Sequence, residues 1–300
     1  MLDFDTNSVQ RIRRLALGTV QFGIPYGIAN QIGQVALGDA RAILIRAAEE
    51  GIDTIDTAIG YGDSERFLGE IGVSGFNVVT KLPALPVGHL GVAGWVNEQM
   101  ANSLARLHSC RVYGVLLHKP TDLLGANGQA LFNALCALKD RGLVERIGVS
   151  VYSPAELENL PANFRYDLVQ APLNLVDRRL FASGWLGRLK DRGVEVHTRS
   201  TFLQGLLLLP RNGIPAKFSR WADVWDRWHA WLSDHNEDAV RACLTYSLSL
   251  RDVDRVVVGT DSSGQFTQVL LGAALASKAA LPDLACGSGD LINPARWPYL

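Results

Sequence analysis

Short apolar stretches alternate with amphipathic stretches along almost the whole chain. The apolar stretches are rich in β-branched residues and are bounded by polar or glycine-containing turns, a pattern typical of buried strands. They predict strands at Leu15–Thr19, Thr54–Thr57, Asn77–Lys81, Val112–Leu117, Arg146–Val149, Leu168–Gln170, Val194–Thr198 and Arg255–Gly259.

The stretches between them have the spacing of amphipathic helices, and several end in a charged turn followed by glycine, as in EEGIDT, KDRGLVERIGVS and KDRGVEVHT. Glycine at this position permits a left-handed helix cap, after which the next apolar stretch begins. The clearest predicted helices are Asp39–Glu50, Gly94–Leu107, Gln129–Arg141 and Ala182–Arg192.

Eight strand–helix units predict an α/β fold, a closed parallel (β/α)8 TIM barrel that holds residues 1–300 in a single domain. An open doubly wound sheet is the competing architecture. The first predicted strand is not followed by the GxGxxG phosphate fingerprint of that fold. The barrel is therefore the favoured prediction.

Two segments lie outside this alternation: a Trp-rich helical insertion at about 217–236 and a C-terminal tail at about 280–300. The tryptophans of the insertion fall on one face of a helix, at Trp221, Trp225, Trp228 and Trp231. This spacing favours a stripe that packs against the barrel, with a substrate or partner surface as the alternative.

Composition narrows the class of protein. Lys and Arg number 29 against 30 Asp and Glu, which leaves no net charge that would favour nucleic acid or an anionic membrane. Four cysteines lack metal-binding spacing, and no apolar run is long enough to span a membrane. The start of the chain, MLDFDTNSVQRIRR, lacks the apolar core of a signal peptide. We therefore expect a cytoplasmic protein that contacts neither nucleic acid nor membrane; its oligomeric state is not predicted.

Four polar residues stand at or just after the ends of three consecutive predicted strands: Asp56, Tyr61, Lys81 and His118. In a parallel barrel the carboxyl ends of the strands meet at one face, so these side chains should converge. A phenol has a reference pKa of about 10. A neighbouring lysine stabilises the phenolate, and an aspartate keeps that lysine charged. The four residues, called the tetrad below, predict a tyrosine that performs acid–base chemistry.

The segment DTIDTAIGYGDSERFLGE, the lysine of VVTK and the histidine of LLHKP together resemble the aldo-keto reductase superfamily. The segment RSTFLQGLLL resembles a less-studied bacterial-type subgroup of that superfamily. The resemblance extends over roughly residues 14–275. It implies reversible reduction of an aldehyde or ketone by hydride from a nicotinamide coenzyme. Tyr61 would be the general acid or base, Lys81 would lower its pKa, Asp56 would anchor Lys81, and His118 would orient the carbonyl. No metal is implied.

The resemblance also implies the coenzyme contacts. Ser150 and Gln170 would hold the carboxamide, with Val151 where the family has asparagine, and Arg199 would replace the usual aromatic residue beside the nicotinamide. A turn after the last strand, at Thr260 and Ser262, would hold phosphate. The remaining predicted contacts are Gly18, Thr19, Val20, Ser200, Leu203, Gly205, Gly259, Gln265 and Gln268. The resemblance favours NADP, with NAD as the alternative, because Asp261 and Gln265 stand where NADPH-dependent members often carry basic or small residues.

The predicted substrate pocket at the barrel mouth is formed by Val20, Gln21, Phe22, Tyr26, Ile59 and Trp297. The segment GTVQFGIPYGIAN is aromatic and polar rather than uniformly apolar, which suggests a sugar or polyol carbonyl as substrate. Two other functions remain open. One is a non-catalytic, coenzyme-binding regulatory subunit of the same fold. The other is a hydrolase with a metal ion held by Asp56, His118 and His197.

Overall fold

A computed structural model describes residues 5–300, and the first four residues of the predicted single domain lie outside the described part. Eight parallel strands form a closed barrel in sequence order. The first and last strands pair from Leu15 with Val256 to Gly18 with Gly259. The predicted TIM barrel is therefore confirmed. Its strands are β1 (Leu15–Gly18), β2 (Thr54–Asp56), β3 (Asn77–Leu82), β4 (Val112–Leu117), β5 (Val144–Ser150), β6 (Leu168–Pro172), β7 (Glu195–Arg199) and β8 (Arg255–Gly259).

Helices connect the strands and cover the barrel. The α-helices are α1 (Thr6–Arg13), α2 (Val20–Gly23), α3 (Leu37–Glu49), α4 (Ser64–Ile71), α5 (Val92–Arg106), α6 (Gly128–Asp140), α7 (Pro154–Glu158), α8 (Arg179–Ala182), α9 (Trp185–Asp191), α10 (Ala222–Asp234), α11 (Ala239–Ser249), α12 (Ser263–Ala274) and α13 (Gly289–Ile292). Short 3₁₀ helices lie at Pro120–Leu124, Leu206–Leu208, Arg211–Gly213, Ala216–Trp221 and Pro294–Tyr299. None of the helices formed by residues 5–300 has the length and apolar character that crossing a membrane requires.

The helix ends follow the glycine signals. Gly51, Gly142 and Gly193 have φ angles of 76°, 70° and 69°, the left-handed conformation expected after α3, α6 and α9. The predicted helix Ala182–Arg192 corresponds to α9, which begins at Trp185, while Ala182 is the last residue of the preceding helix α8. Gly184 separates them because its φ of 74° interrupts the right-handed path.

The apolar core has two main parts. One lies between the strands and the surrounding helices. The other lies beyond the ends of β6 and β7, where α10 packs its tryptophans against Phe218, Leu207 and the C-terminal tail. The indole of Trp228 is fully buried and donates a hydrogen bond to the Leu207 carbonyl at 3.0 Å. The tryptophans of this segment therefore have a packing role, and they pack against the loop after β7 and the C-terminal tail.

Candidate active site

The Tyr61 turn, between β2 and α4, is held close to the loop after β1. A Cβ atom at Gly23 would lie 1.6 Å from the Tyr61 carbonyl oxygen, and one at Gly62 would lie 2.4 Å from the Gly23 carbonyl oxygen. Gly62 also has a φ of 51°. Only glycine at these two positions allows the loops to meet, and their contact fixes where Tyr61 stands.

Behind Tyr61 lies a buried ion pair between Lys81 and Asp56. The Lys81 ammonium is 2.7 and 2.8 Å from the two Asp56 carboxylate oxygens, and it donates a third hydrogen bond to the Thr57 carbonyl at 2.8 Å. Lys81 is 1% exposed. Burial lowers the pKa of Lys81, and the charge of Asp56 opposes that shift. The three bonds hold the ammonium rigidly at the end of β3.

Gln170 connects this pair to the other side of the barrel. Its side-chain amide donates to Asp56 Oδ1 at 2.6 Å, and its oxygen accepts a hydrogen bond from Ser150 Oγ at 3.1 Å. Sequence reasoning assigned Ser150 and Gln170 to the coenzyme. In the structure their side chains bond to each other and to the tetrad, although Gln170 also lines the cavity described below.

The other two tetrad members face each other. The rings of Tyr61 and His118 meet edge to face, with centroids 5.8 Å apart. The Lys81 ammonium lies 5.1 Å from the centroid of the Tyr61 ring. The structure therefore brings all four residues of the tetrad together at the carboxyl ends of β2, β3 and β4.

The protonation states follow from burial and charge. Burial raises the pKa of Tyr61, the charge of Asp56 raises it further, and the charge of Arg199 lowers it. Burial, with the charges of Lys81 and Arg199, lowers the pKa of His118 to about 4. Near pH 7 the site thus holds a protonated phenol and a neutral imidazole.

A cavity of about 750 Å³ lies beside the tetrad. Asp56, Tyr61 and His118 line this cavity, whereas Lys81 does not. Predicted coenzyme contacts that line the cavity are Gly18, Thr19, Val20, Gln170, Arg199, Ser200, Gly205, Gly259, Thr260, Gln265 and Gln268. Three predicted contacts do not line it: Ser150, Leu203 and Ser262.

Each of the three has a structural partner instead. The Ser150 hydroxyl is bound to Gln170. Leu203 is fully buried in the Trp-rich core. The Ser262 hydroxyl caps α12 by accepting a hydrogen bond from the Gln265 amide at 3.2 Å.

A loop after β1, residues 24–33 and called the strap below, runs along the cavity and is bonded to the loops after β7 and β8. Gln204 donates from its side chain to the Tyr26 hydroxyl at 2.8 Å and accepts from the Ile28 amide at 2.9 Å. Asn30 donates to Asp261 at 3.1 Å. Sequence reasoning missed Asn30 and Gln204. The NQIG sequence indicates the Asn30 turn, but no local signal indicates a partner more than two hundred residues away.

The predicted substrate residues divide into two groups. Val20, Gln21 and Tyr26 line the cavity, whereas Phe22, Ile59 and Trp297 do not. Phe22 belongs to the barrel core. Trp297 packs edge to face on Phe218 at 5.0 Å, so the C-terminal tail joins the Trp-rich core and contributes no residue to the cavity wall. Sequence reasoning also missed Tyr152, which does line the cavity.

The three residues of the metal alternative do not form a cluster. His197 is fully buried within β7, and its Nε2 lies 2.8 Å from a carboxylate oxygen of Glu195. Between residues 5 and 300 no group of three or more His, Cys, Asp or Glu side chains is arranged to hold a metal ion.

The cavity fits an extended polar ligand such as a nicotinamide dinucleotide. Three buried side-chain oxygens on its wall have no hydrogen-bond partner within the described residues 5–300: Gln21 Oε1, Thr201 Oγ1 and Thr260 Oγ1. A Cβ atom at Gly259 would lie 2.5 Å from the Gln21 side chain, so only glycine lets Gln21 pack against the end of β8. The volume is typical of ligand sites, and the adjacent N-terminus of α12 favours phosphate.

Fold and site together define a class of proteins: (β/α)8 barrels whose carboxyl-end loops enclose a Tyr–Lys–Asp–His cluster beside a ligand cavity. The Aldo/keto reductase family matches residues 14–277, so the chain belongs to that family. This confirms the resemblance seen in the sequence.

Known relatives agree with this assignment. The chain is 29% identical over 175 residues to aldo-keto reductase YhdN of Bacillus subtilis, an alignment that covers 54% of this chain and 52% of that protein. It thus spans about half the length of this curated relative. Aldo-keto reductase AKR11C1 of Bacillus halodurans shares the fold with a TM-score of 0.71 at 20% identity, covering 90% of this chain and 89% of that one. A putative aldo-keto reductase of Pseudomonas aeruginosa shares it with a TM-score of 0.63 at 21% identity, covering 87% and 89%.

Proposed function

We propose that the protein is a nicotinamide-dependent oxidoreductase that reduces an aldehyde or ketone to an alcohol, reversibly. The observation that carries this proposal is the arrangement of the tetrad. The rings of Tyr61 and His118 meet at the cavity, and a buried Lys81–Asp56 pair lies directly behind them. Family membership supports the same chemistry.

In this mechanism the bound nicotinamide supplies the hydride. Tyr61 donates its hydroxyl proton to the carbonyl oxygen as negative charge develops there. His118 is neutral near pH 7 because of its low pKa, and it donates a hydrogen bond to the same oxygen. In the reverse direction Tyr61 accepts the proton of the alcohol.

The buried pair serves this step by fixing geometry. Lys81 is bonded to both oxygens of Asp56 and to the Thr57 carbonyl, so it cannot leave the Tyr61 ring without breaking three hydrogen bonds. A fixed ammonium favours the tyrosinate that forms when the proton leaves. Arg199 contributes further positive charge, since it lowers the pKa of Tyr61.

The charges around the cavity bear on the choice of coenzyme. Among residues 5–300, Arg199 is the one Lys or Arg that lines the cavity, and it lies next to the tetrad. The wall near β8 and α12 instead presents Asp261 and Asp238. A carboxylate suits a ribose 2′-hydroxyl, whereas a 2′-phosphate needs Arg or Lys. NAD(H) is therefore the proposed coenzyme, although the resemblance to the family favoured NADP.

Polar side chains on the cavity wall suit a substrate that carries hydroxyl groups. Tyr26, Gln204 and Asn30 provide donors and acceptors on the strap side of the cavity. This supports the predicted sugar or polyol carbonyl as one substrate type. A cytoplasmic location remains a prediction from the sequence.

Replacing the acid tests the proposed function. Tyr61→Phe removes the proton donor and preserves the ring, so we expect turnover to fall by at least about 1,000-fold. The dissociation constant of NADH should change by less than about 3-fold, which is under 1 kcal/mol. Turnover is measured from coenzyme absorbance with a panel of aldehydes, and coenzyme affinity from fluorescence quenching.

The matched control is Tyr26→Phe, because Tyr26 also lines the cavity but bonds to Gln204 and lies outside the tetrad. We expect this variant to keep measurable turnover. Wild-type rates in Tyr61→Phe would refute the assignment of the acid.

A further inference from the structure

Arg199 is a half-buried cation on the cavity wall. Its guanidinium donates to the Val151 carbonyl at 3.1 Å and to the Ser200 hydroxyl at 3.3 Å. No Asp or Glu oxygen among residues 5–300 forms a salt bridge with it. A guanidinium has five N–H donors, so most of its capacity is unused.

The guanidinium is also fixed in place. It lies over the ring of Tyr152, 4.5 Å from the ring centroid. Together with the bond to the Val151 carbonyl, this stacking holds the planar group against the loop after β5. A rigid guanidinium with free N–H groups is well suited to hold a carboxylate with two parallel hydrogen bonds.

Arg199 stands close to the reacting groups. Its charge lowers the pKa values of Tyr61, Tyr26 and His118, three residues that line the same cavity. Thr201, two residues further on, is 2% exposed, lines the cavity and has an unpartnered hydroxyl. The wall next to the tetrad thus offers a free cation and an unused hydroxyl.

We propose that Arg199 binds an anionic group of the carbonyl substrate, preferably a carboxylate, so that acid-bearing aldehydes or ketones are the favoured substrate class. This inference rests on the proposed function. A half-buried cation that forms no salt bridge with residues 5–300 gains most from an anion supplied by the ligand, since burial has already removed much of its hydration. The pyrophosphate of the coenzyme is also an anion that Arg199 could bind. The experiment below distinguishes this pyrophosphate from a carboxylate of the substrate.

The test compares 4-carboxybenzaldehyde with its neutral counterpart 4-formylbenzamide. The measured quantity is the ratio of their kcat/KM values, in which any general effect on turnover cancels. We expect Arg199→Gln to lower this ratio by about 10- to 100-fold, the range for a hydrogen bond to a charged group. Arg199→Lys should retain part of the preference because it keeps the charge without the bidentate geometry.

The matched control is Arg188→Gln. Arg188 is exposed, lies outside the cavity and also stacks on an aromatic ring, 5.3 Å from the centroid of Trp185. Arg188→Gln should leave the ratio of the two kcat/KM values unchanged. Thermal unfolding checks that each variant folds, and Arg199→Lys decides the question if Arg199→Gln does not fold.

A binding measurement makes the outcome independent of turnover. Wild-type protein saturated with coenzyme should bind benzoate more tightly than benzamide by calorimetry, and Arg199→Gln should lose that difference. Equal binding of the two, or an unchanged kcat/KM ratio in Arg199→Gln, overturns the inference. If coenzyme affinity falls while the ratio stays constant, Arg199 belongs to the pyrophosphate instead. If wild-type protein oxidises no NADH or NADPH with any aldehyde, the proposed function fails, and the benzoate titration still decides the role of Arg199.

Discussion

Gln170 donates a hydrogen bond of 2.6 Å to Asp56 Oδ1, and this bond crosses the interior of the barrel from β6 to β2. The same oxygen accepts a bond of 2.7 Å from Lys81. Because Gln170 also accepts from Ser150, side chains from β5, β6, β2 and β3 form one continuous hydrogen-bonded chain. The position of the Asp56–Lys81 pair therefore depends on a contact that crosses the barrel.

Gln170→Leu should destabilise the protein. The change leaves Ser150 Oγ and one buried Asp56 oxygen with one fewer partner each, so we expect the free energy of unfolding to fall by about 1–3 kcal/mol. Urea denaturation measures it. Gln268→Leu is the control, because Gln268 is an exposed glutamine on the same cavity wall, and its effect should stay within about 0.5 kcal/mol. Equal stabilities of the two variants would show that the cross-barrel bond contributes nothing.

Asp56→Asn should be more severe, because it leaves the Lys81 charge buried without its counter-ion. We expect a loss of about 3–5 kcal/mol in the free energy of unfolding. In the double variant Asp56→Asn, Lys81→Met no charge is left unpaired, so the combined loss should be smaller than the sum of the single losses.

A surface pair provides the comparison for this cycle. Arg211 and Asp226 form a salt bridge with side chains 44% and 63% exposed. Asp226→Asn should cost less than about 1 kcal/mol, as is usual for exposed pairs. Strictly additive losses in the Asp56 and Lys81 cycle would contradict the strong coupling described above.

The low pKa of His118 predicts a dependence of stability on pH. The folded protein holds this imidazole neutral down to a pKa of about 4, while the unfolded chain binds the proton near the reference value of 6.5. The unfolded state therefore takes up more protons between these values, and stability falls as the pH drops below 6.5. From pH 8 to pH 5, wild type should lose about 2 kcal/mol more than His118→Asn.

Urea denaturation at pH 8, 6.5 and 5 measures this difference, and all other titrating groups are common to both proteins. A constant stability difference between wild type and His118→Asn across the three pH values would mean that His118 titrates normally in the folded state.

Asp261 predicts the choice of coenzyme. Wild type should bind NADH at least about 10-fold more tightly than NADPH, a difference of 1.4 kcal/mol, because a 2′-phosphate would face a carboxylate without a compensating cation. Asp261→Asn should narrow the gap by improving NADPH binding, and Asp261→Arg should reverse the preference. Fluorescence titration with both coenzymes measures the dissociation constants.

The asparagine variant is informative because it keeps an oxygen that can accept the hydrogen bond from Asn30. It therefore separates the charge of Asp261 from its contact with the strap. If wild type binds NADPH more tightly than NADH, the predicted preference for NAD is wrong and NADP is the coenzyme.

The sequence was sufficient to predict the barrel and the convergence of the tetrad, because both depend on local pattern. The apolar stretches and the glycines at 51, 142 and 193 mark where helices end and strands begin. Once the strands are parallel and in order, Asp56, Lys81 and His118 fall at one face.

Contacts across the barrel and between loops could not be predicted in this way. Gln170 and Asp56 are 114 residues apart, and Asn30 and Asp261 are 231 apart. No local pattern specifies which side chains meet at such separations. Trp297 shows the same limit: an aromatic residue near the C-terminus suits the barrel mouth, but the Trp-rich core offers a more complete apolar surface and buries it there.

The bonds that hold the strap have a consequence for the rate of coenzyme exchange. Three hydrogen bonds join it to the loops after β7 and β8. At about 1 kcal/mol each, they would leave the strap open in roughly 1% of molecules at any moment. If the dinucleotide enters only during those openings, its association rate constant falls about 100-fold below that of an uncovered site. Its departure slows for the same reason, so the enzyme would keep one coenzyme molecule for a long residence time while small substrates and products come and go.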